Sequence, residues 1–269
     1  MYDYHIHTTF SGDSTINPEE CIQKAIELGI KEIAITDHAE FNVWRPGELF
    51  EDDCFNIKDY MSTLTSLKEK YGHRIVIKAG IEVGLQREEK KVINQLINEN
   101  PFDFVIGSSH TIDKIDLFYR KIYEEQTKSK AYEQYFNEVL EIVRVFDSYS
   151  VYGHLDLIRR YAPGEYEDVE LTTAENEIII EILKQIISRG KGIEVNTSGY
   201  RYGLNSTNPG IEILKWYRQL GGEIITVGSD AHHKSHIGYR IPETYELLKD
   251  LGYRYITIFE QMNAVQIKL

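Results

Sequence analysis

At 269 residues, 42% of them hydrophobic, the chain is long enough to bury one sizeable core, and a single domain over 1–269 is the expected organisation. Its 30 basic and 43 acidic residues leave a net charge of -13, which excludes a broad nucleic-acid surface because phosphate-backbone affinity comes from Lys and Arg, though a small phosphoester still suits it. Two scattered cysteines, Cys21 and Cys54, exclude a disulfide framework and a thiolate zinc site; with no signal-peptide pattern and no bilayer-spanning apolar run, they point to a soluble cytoplasmic protein without a membrane partner.

"DYHIH" reads as a first strand. Asn17-Pro18-Glu19-Glu20 then supplies an N-cap, a proline at the first helical position and a capping-box glutamate, and Gly29 ends that helix. "KEIAITDH" carries Ile33, Ala34 and Ile35 as a buried strand. The stretch after His38, residues 39–60, is longer than an ordinary βα connection and mixes aromatics with acids, which predicts a loop that either walls the substrate with Phe41, Trp44 and Glu48 or simply covers the barrel. Strand patterns recur in "RIVIKAGIEV", "FDFVIGSSH", "DSYSVYGHLD", "GKGIEVNTSG" and "GEIITVGSDAHH", each followed by a helical pattern. Thr173 opens a helix that Gly190 ends, and Asn208-Pro209 opens another that Gly221 ends. Tyr253 to Phe259 is a candidate last strand. Alternating strand and helix predicts a parallel sheet, and about seven such units, with no glycine-rich dinucleotide fingerprint, favour an α/β barrel over an open doubly wound sheet.

Eight of the nine histidines, all but His73, fall at or just after the C-terminal end of a predicted strand. In an α/β barrel those ends share one mouth, so residues remote in sequence converge there. His5 and His7 are two apart, which on a strand turns both to one face, as it does Asp230 and His232. One histidine after a strand is ordinary; so many, with Glu82 and Asp13 beside them, predict a metal site. Imidazole and carboxylate without thiolate suit zinc, iron, manganese or nickel.

The motifs "HIH" (His5–His7), "TDH" (Thr36–His38), "GIE" (Gly80–Glu82), "SSH" (Ser108–His110), "GHLD" (Gly153–Asp156) and "SDAH" (Ser229–His232) span nearly the whole chain in order. Together they resemble the PHP (polymerase and histidinol phosphatase) superfamily of metallohydrolases. In length, in "GHLDLIRRY" and in "EVNTSGYR", the chain looks most like the histidinol-phosphate phosphatases of histidine biosynthesis. The resemblance implies a single distorted (β/α)7 TIM-like barrel holding three divalent metal ions, zinc with iron or manganese as alternatives. The implied ligands are His5, His7, Asp13, His38, Glu82, His110, His154, Asp230 and His232, with Glu82 as the bridge. Asp13 stands where some relatives carry histidine.

The implied reaction is attack of a metal-bridged hydroxide on phosphorus, water being made acidic enough by coordination to need no dedicated base. Three dications against three carboxylates and one hydroxide leave about +2, a charge suited to a phosphate dianion. Arg160 and Arg201, and more weakly Arg159, follow predicted strands at the same mouth and are candidate phosphate clamps, since guanidinium matches phosphate oxygens. His236 is a candidate proton donor or substrate contact, His233 a solvated or supporting residue, and His73 a structural one on the opposite rim. Rival readings are a phosphotyrosine-protein or nucleotide phosphatase, an exonuclease, which the acidic charge disfavours, and a noncatalytic metal-binding module, which the full ligand set disfavours.

Overall fold

A computed structural model describes residues 1–124, 126–164 and 170–269. In chain order the elements are β1 (Tyr2–Ile6), α1 (Pro18–Glu27), β2 (Glu32–Ile35), a hairpin of β3 (His38–Arg45) and β4 (Glu48–Cys54), α2 (Ile57–Tyr71), β5 (Val76–Gly84) and α3 (Lys90–Glu99). There follow β6 (Phe104–Ser108), the short pair β7 (Thr111–Ile112) and β8 (Ile115–Asp116), α4 (Lys128–Val145), β9 (Val151–Tyr152), α5 (Thr173–Ser188) and β10 (Gly192–Asn196). The chain ends with α6 (Ile211–Gln219), β11 (Ile225–Gly228), α7 (Ile241–Asp250) and a last hairpin of β12 (Tyr255–Glu260) and β13 (Asn263–Lys268).

Among the described residues seven parallel strands form the barrel, in the order β1, β2, β5, β6, β9, β10, β11. The ring closes where Ile6 bridges Ala231, with His7 N donating to Ala231 O at 2.9 Å and Ala231 N to His5 O at 3.3 Å. The expected (β/α)7 barrel is therefore what folds. The helices hold it by their buried stripes: on α5, Ile179, Ile182, Leu183 and Ile186 are fully buried at spacings of three and four residues. Truncating Ile182 to Ala would cost about 2–5 kcal/mol. Local signals set the helix starts. Asn17 accepts from Glu19 N at 2.9 Å, and Thr172 and Glu175 form a complete capping box. No helix among the described residues is long and apolar enough to cross a membrane.

Three expectations are corrected. Tyr255–Glu260 is not a barrel strand, because the seven-strand ring has no free edge to receive it; paired with β13, it caps the lower opening. Phe259 packs there with Tyr4, Ala34, Phe104, Ile106 and Val151, a small core inside the barrel, and donates its N–H to Tyr4 Oη at 2.9 Å. Asn208-Pro209 does not open α6. Asn208 instead donates to Asp156 Oδ1 at 2.6 Å, and the helix starts after Gly210.

The stretch 39–60 is not an irregular loop. Residues 39–54 pair as the β3–β4 hairpin, from Ala39 opposite Cys54 to Arg45 opposite Glu48. Alternation sends Phe41 into the hydrophobic core, and Glu48 is exposed at the hairpin end. Trp44 lies under the Lys121 ammonium at 5.2 Å, six residues along the strand from His38, a run of roughly 20 Å.

Candidate metal centre

The C-terminal ends of the strands deliver the site. His5 lies within β1 and His7 just past it, both fully buried and facing the same way as strand alternation requires. Their Nε2 atoms stand 2.9 Å apart. β5 supplies Glu82, whose two oxygens divide the cluster. Oε2 lies 3.0 Å from His5 Nε2, 3.3 Å from His7 Nε2 and 3.2 Å from His38 Nδ1. Oε1 lies 2.8 Å from His154 Nε2 and 3.3 Å from His110 Nε2, and it accepts from Ser108 Oγ at 2.7 Å.

The turn after β11 adds Asp230, with Oδ1 3.6 Å from His7 Nε2 and 3.3 Å from His232 Nδ1. Asp13, at the solvent edge, sets Oδ2 3.3 Å from His232 Nε2 and 3.6 Å from His38 Nε2. All nine residues expected as ligands thus meet at one mouth. Two of them sit on costly backbone, His154 at φ 21° and Asp230 at φ 53°, as functional sites often do.

The donor set fits divalent cations. Opposed imidazole nitrogens recur at 2.9 Å (His5 and His7), 3.3 Å (His110 and His154) and 3.4 Å (His38 and His232), and lone pairs so placed need an electrophile between them. His38 Nδ1 is buried without a hydrogen-bond partner although Glu82 Oε2 is beside it. Four groups among the described residues, His5/His7/Asp230, Glu82/His110/His154, His7/His38/His232 and His38/Glu40/His110, each converge their ligand atoms within 4.8 Å. Electrostatics agree. Burial opposes ionisation of Glu82, yet His5, His110 and His38 hold its carboxyl well below the usual range. Burial likewise opposes the His5 imidazolium, but Glu194, Glu82 and Asp230 raise it well above its ordinary value.

The arginines part ways. Arg160, almost buried, places Nη2 2.9 Å from Asp230 Oδ2 and 2.5 Å from Ser198 Oγ, and its guanidinium lies 4.2 Å over the Tyr202 ring. Its Nε is buried with no partner. Arg201 donates from Nη1 to Ser229 O and from Nη2 to Asp230 O, both at 2.7 Å, and so pins the Asp230 turn. Arg159 does not join them. Its guanidinium is committed to Asp156 Oδ2 at 2.8 Å and Ser206 Oγ at 3.3 Å, lining a separate cavity of about 550 Å³ with Trp216 and Leu204.

His236 is half-buried beside His233, with ring centroids 5.6 Å apart. Burial, then Arg201, His233 and His232, hold its imidazole below the ordinary value, so it is neutral at pH 7 and poorly suited as a standing proton donor. His73 is exposed between α2 and β5, at the opposite rim.

Sequence reasoning missed the groups behind the cluster. Glu194 Oε1 lies 2.5 Å from His5 Nδ1, and its Oε2 accepts from His154 N at 2.9 Å. Ser11 Oγ stands 3.2 Å from His7 Nδ1 and donates to Asp37 Oδ1 at 2.7 Å. Glu40 Oε1 lies 2.5 Å from His110 Nδ1. The signal for Glu194 was a charged residue inside an otherwise apolar strand pattern, "GIEV", where only a polar partner justifies burial.

Known proteins resemble this chain over nearly its whole length. A histidinol-phosphatase from Lactococcus lactis is 34% identical over 97% of this chain and 94% of its own length. A "Probable histidinol-phosphatase" from Clostridium acetobutylicum is 33% identical over 93% of each chain. The crystal structure of histidinol phosphate phosphatase from Lactococcus lactis, complexed with zinc, L-histidinol and phosphate, superposes with a TM-score of 0.88 and 34% identity over 98% of both chains. The PHP domain model matches residues 3–198, which carry seven of the nine clustered residues, and the chain belongs to that family.

Proposed function

We infer that this chain is a metal-dependent phosphomonoesterase that hydrolyses L-histidinol phosphate to L-histidinol and phosphate. One observation carries the reading: six imidazoles and two further carboxylates meet around Glu82 at a barrel mouth, beside Arg160 with its buried, unpartnered Nε. Relatives at 34% and 33% identity, named for this activity and spanning almost the full chain, supply the substrate. The whole chain, 1–269, acts as one barrel domain.

Three divalent ions, zinc foremost, are assigned to His5, His7, Asp230 and Glu82; to Glu82, His110 and His154; and to Asp13, His38 and His232. When bound, such ions lower the pKa of water and offset the charge of phosphoryl oxygens. The protein's own groups do the rest. Ser108 holds Glu82 Oε1 on the side of His110 and His154, where it would serve as a ligand. Arg160 offers Nε as a donor to a phosphoryl oxygen while Asp230 and Ser198 fix the guanidinium plane. Arg201 fixes the turn that presents Asp230 and His232, and His236 meets substrate as a neutral hydrogen-bonding group at the rim.

The test is a comparison of kcat/KM on zinc-loaded protein for histidinol phosphate, a nucleoside monophosphate, a phosphotyrosine peptide and an aryl phosphate. Histidinol phosphate leads by at least about tenfold, a difference of 1.4 kcal/mol in transition-state binding. Equal or lower efficiency than another member of the panel overturns the substrate, and no phosphate release from any overturns the enzyme.

A further inference from the structure

We propose that Glu40 is a positioning residue for this centre, holding His110 through Nδ1 so that Nε2 is presented to the metal side, and that Gly84 exists to give its carboxylate room. The inference rests on the reading of the cluster as a metal centre.

Register brings the parts together. β3 and β5 run parallel with His38 opposite Glu82 and Ala39 opposite Val83, so Glu40 falls beside Gly84. His38 and Glu40 are two apart on β3, and Glu82 and Gly84 two apart on β5, so each pair shares one face. His38 and Glu82 enter the cluster, while Glu40, only 6% exposed, reaches the outer nitrogen of His110 at 2.5 Å. The opposite nitrogen of that ring is 3.3 Å from both Glu82 Oε1 and His154 Nε2. Imidazole donating Nδ1–H to a carboxylate keeps its Nε2 lone pair free and more basic, which a metal ligand requires.

Two further observations bear on the carboxylate, one on its polar character and one on the room it needs. Glu40 Oε2 is buried with no hydrogen-bond partner, a costly state that packing alone does not call for. A Cβ built on Gly84 would lie 1.9 Å from that oxygen, so a side chain at position 84 forces the carboxylate to move from its place behind His110. Gly84 has no left-handed φ, and space is what its glycine supplies. The β3–β4 hairpin thereby gains a role: its first strand carries His38 into the cluster and Glu40 behind it. Glu194 backs His5 in the same way but also holds His154 N and Asn196 Nδ2, so Glu40 isolates the effect more cleanly.

The experiment measures zinc per chain against graded chelator, thermal midpoints with and without zinc, and kcat and KM on histidinol phosphate, for wild type, Glu40→Gln, Glu40→Ala, Gly84→Ala and the Glu40→Ala/Gly84→Ala double variant. Glu40→Gln, isosteric and uncharged, loses about one zinc equivalent 10- to 100-fold more readily than wild type. Its metal-free midpoint stays at the wild-type value, and kcat falls more than KM moves. Gly84→Ala does the same, and the double variant is no worse than Glu40→Ala, because the new methyl group then fills vacated space.

Unchanged zinc retention in Glu40→Gln overturns the proposal, as does an equal loss of midpoint in the metal-free and zinc-loaded forms. The two readings fail separately. Wild type inactive on histidinol phosphate with zinc still loosened by Glu40→Gln removes the substrate reading and leaves Glu40 in place; an active wild type with an indifferent Glu40→Gln does the reverse.

Discussion

Arg160 and Asp230 meet as a buried ion pair, Nη2 to Oδ2 at 2.9 Å, while the same guanidinium keeps Nε buried and unpartnered. On the proposed function, a buried donor left free beside the histidine and carboxylate cluster is one an anionic substrate satisfies. Arg160→Lys retains a charge near Asp230 but loses the planar fork. The expected outcome is a KM for histidinol phosphate raised about 10- to 100-fold, the worth of one hydrogen bond to a charged group, with zinc content unchanged. Unaltered Michaelis parameters remove Arg160 from the substrate site.

The neighbouring residue behaves oppositely. Arg159 spans Asp156 and Ser206 and bordered no member of the cluster, so Arg159→Ala leaves kcat and KM on histidinol phosphate at wild-type values. Asp156 still accepts from Gly210 N at 2.9 Å and Asn208 Nδ2 at 2.6 Å, and the loss of stability is about 1 kcal/mol by denaturant titration. A raised KM would return Arg159 to the mouth.

This contrast marks how far sequence reading reached. Strand alternation and barrel geometry carry His5, His7, Glu82 and Asp230 to one mouth, because strand ends in a parallel barrel share a location. Within the five-residue 3-10 turn Leu157–Tyr161 no such rule operates, and adjacent arginines point to different partners. The pairing of Glu40 and Glu194 with their histidines was illegible for a related reason: a carboxylate backing a ligand has no fixed spacing from it, since Glu194 lies 189 residues from His5, and the charge within "GIEV" marks only that Glu194 has a partner. The β3–β4 hairpin was hidden by its charged second strand, mostly exposed and without alternating apolar residues. Tyr255–Glu260 has a true strand pattern, but only closure of the ring by Ile6 and Ala231 excludes it from the barrel.

Asp13 is the most exposed of the nine clustered residues, its side chain 60% accessible, yet it reaches both His232 and His38. Those two imidazoles hold its carboxyl below the usual range even though burial acts the other way. Asp13→Ala loses one zinc equivalent before the others under chelation, and activity falls at least about tenfold with it. Asp13→His restores a nitrogen donor at the same edge and retains the equivalent. Full zinc retention in Asp13→Ala removes Asp13 from the ligand set.

Stripping the metals tests whether the cluster is also a source of stability. Binding to the folded state alone adds about 4 kcal/mol at a thousandfold excess over Kd. At about 2–4 °C per kcal/mol for a chain of this size, chelation lowers the thermal midpoint by about 10 °C. Added zinc restores both midpoint and activity. Because imidazoles must be unprotonated to ligate, the stabilisation fades as pH falls below their ordinary titration range. A midpoint indifferent to chelator and zinc contradicts occupancy of the cluster.

At the other end of the barrel, Glu32 offers a pH signature independent of metal. It is 5% exposed, and its Oε1 accepts from Tyr4 Oη. Burial pushes its carboxyl above the ordinary 4.5, with Asp103 and Glu260 adding to the rise and Tyr4 and Lys78 opposing it. A carboxyl pKa raised by folding means the folded chain holds this proton more tightly than the unfolded one. Its contribution favours folding fully below pH 4.5 and is lost as pH rises through the folded value. Glu32→Gln mimics the protonated form and still accepts from Tyr4. The variant therefore has the higher thermal midpoint at pH 7, and the gap to wild type closes as pH falls through the folded value towards 4.5. Midpoints recorded for both proteins from pH 4 to pH 8, metal-free, check the sign, and a variant less stable than wild type at pH 7 contradicts it.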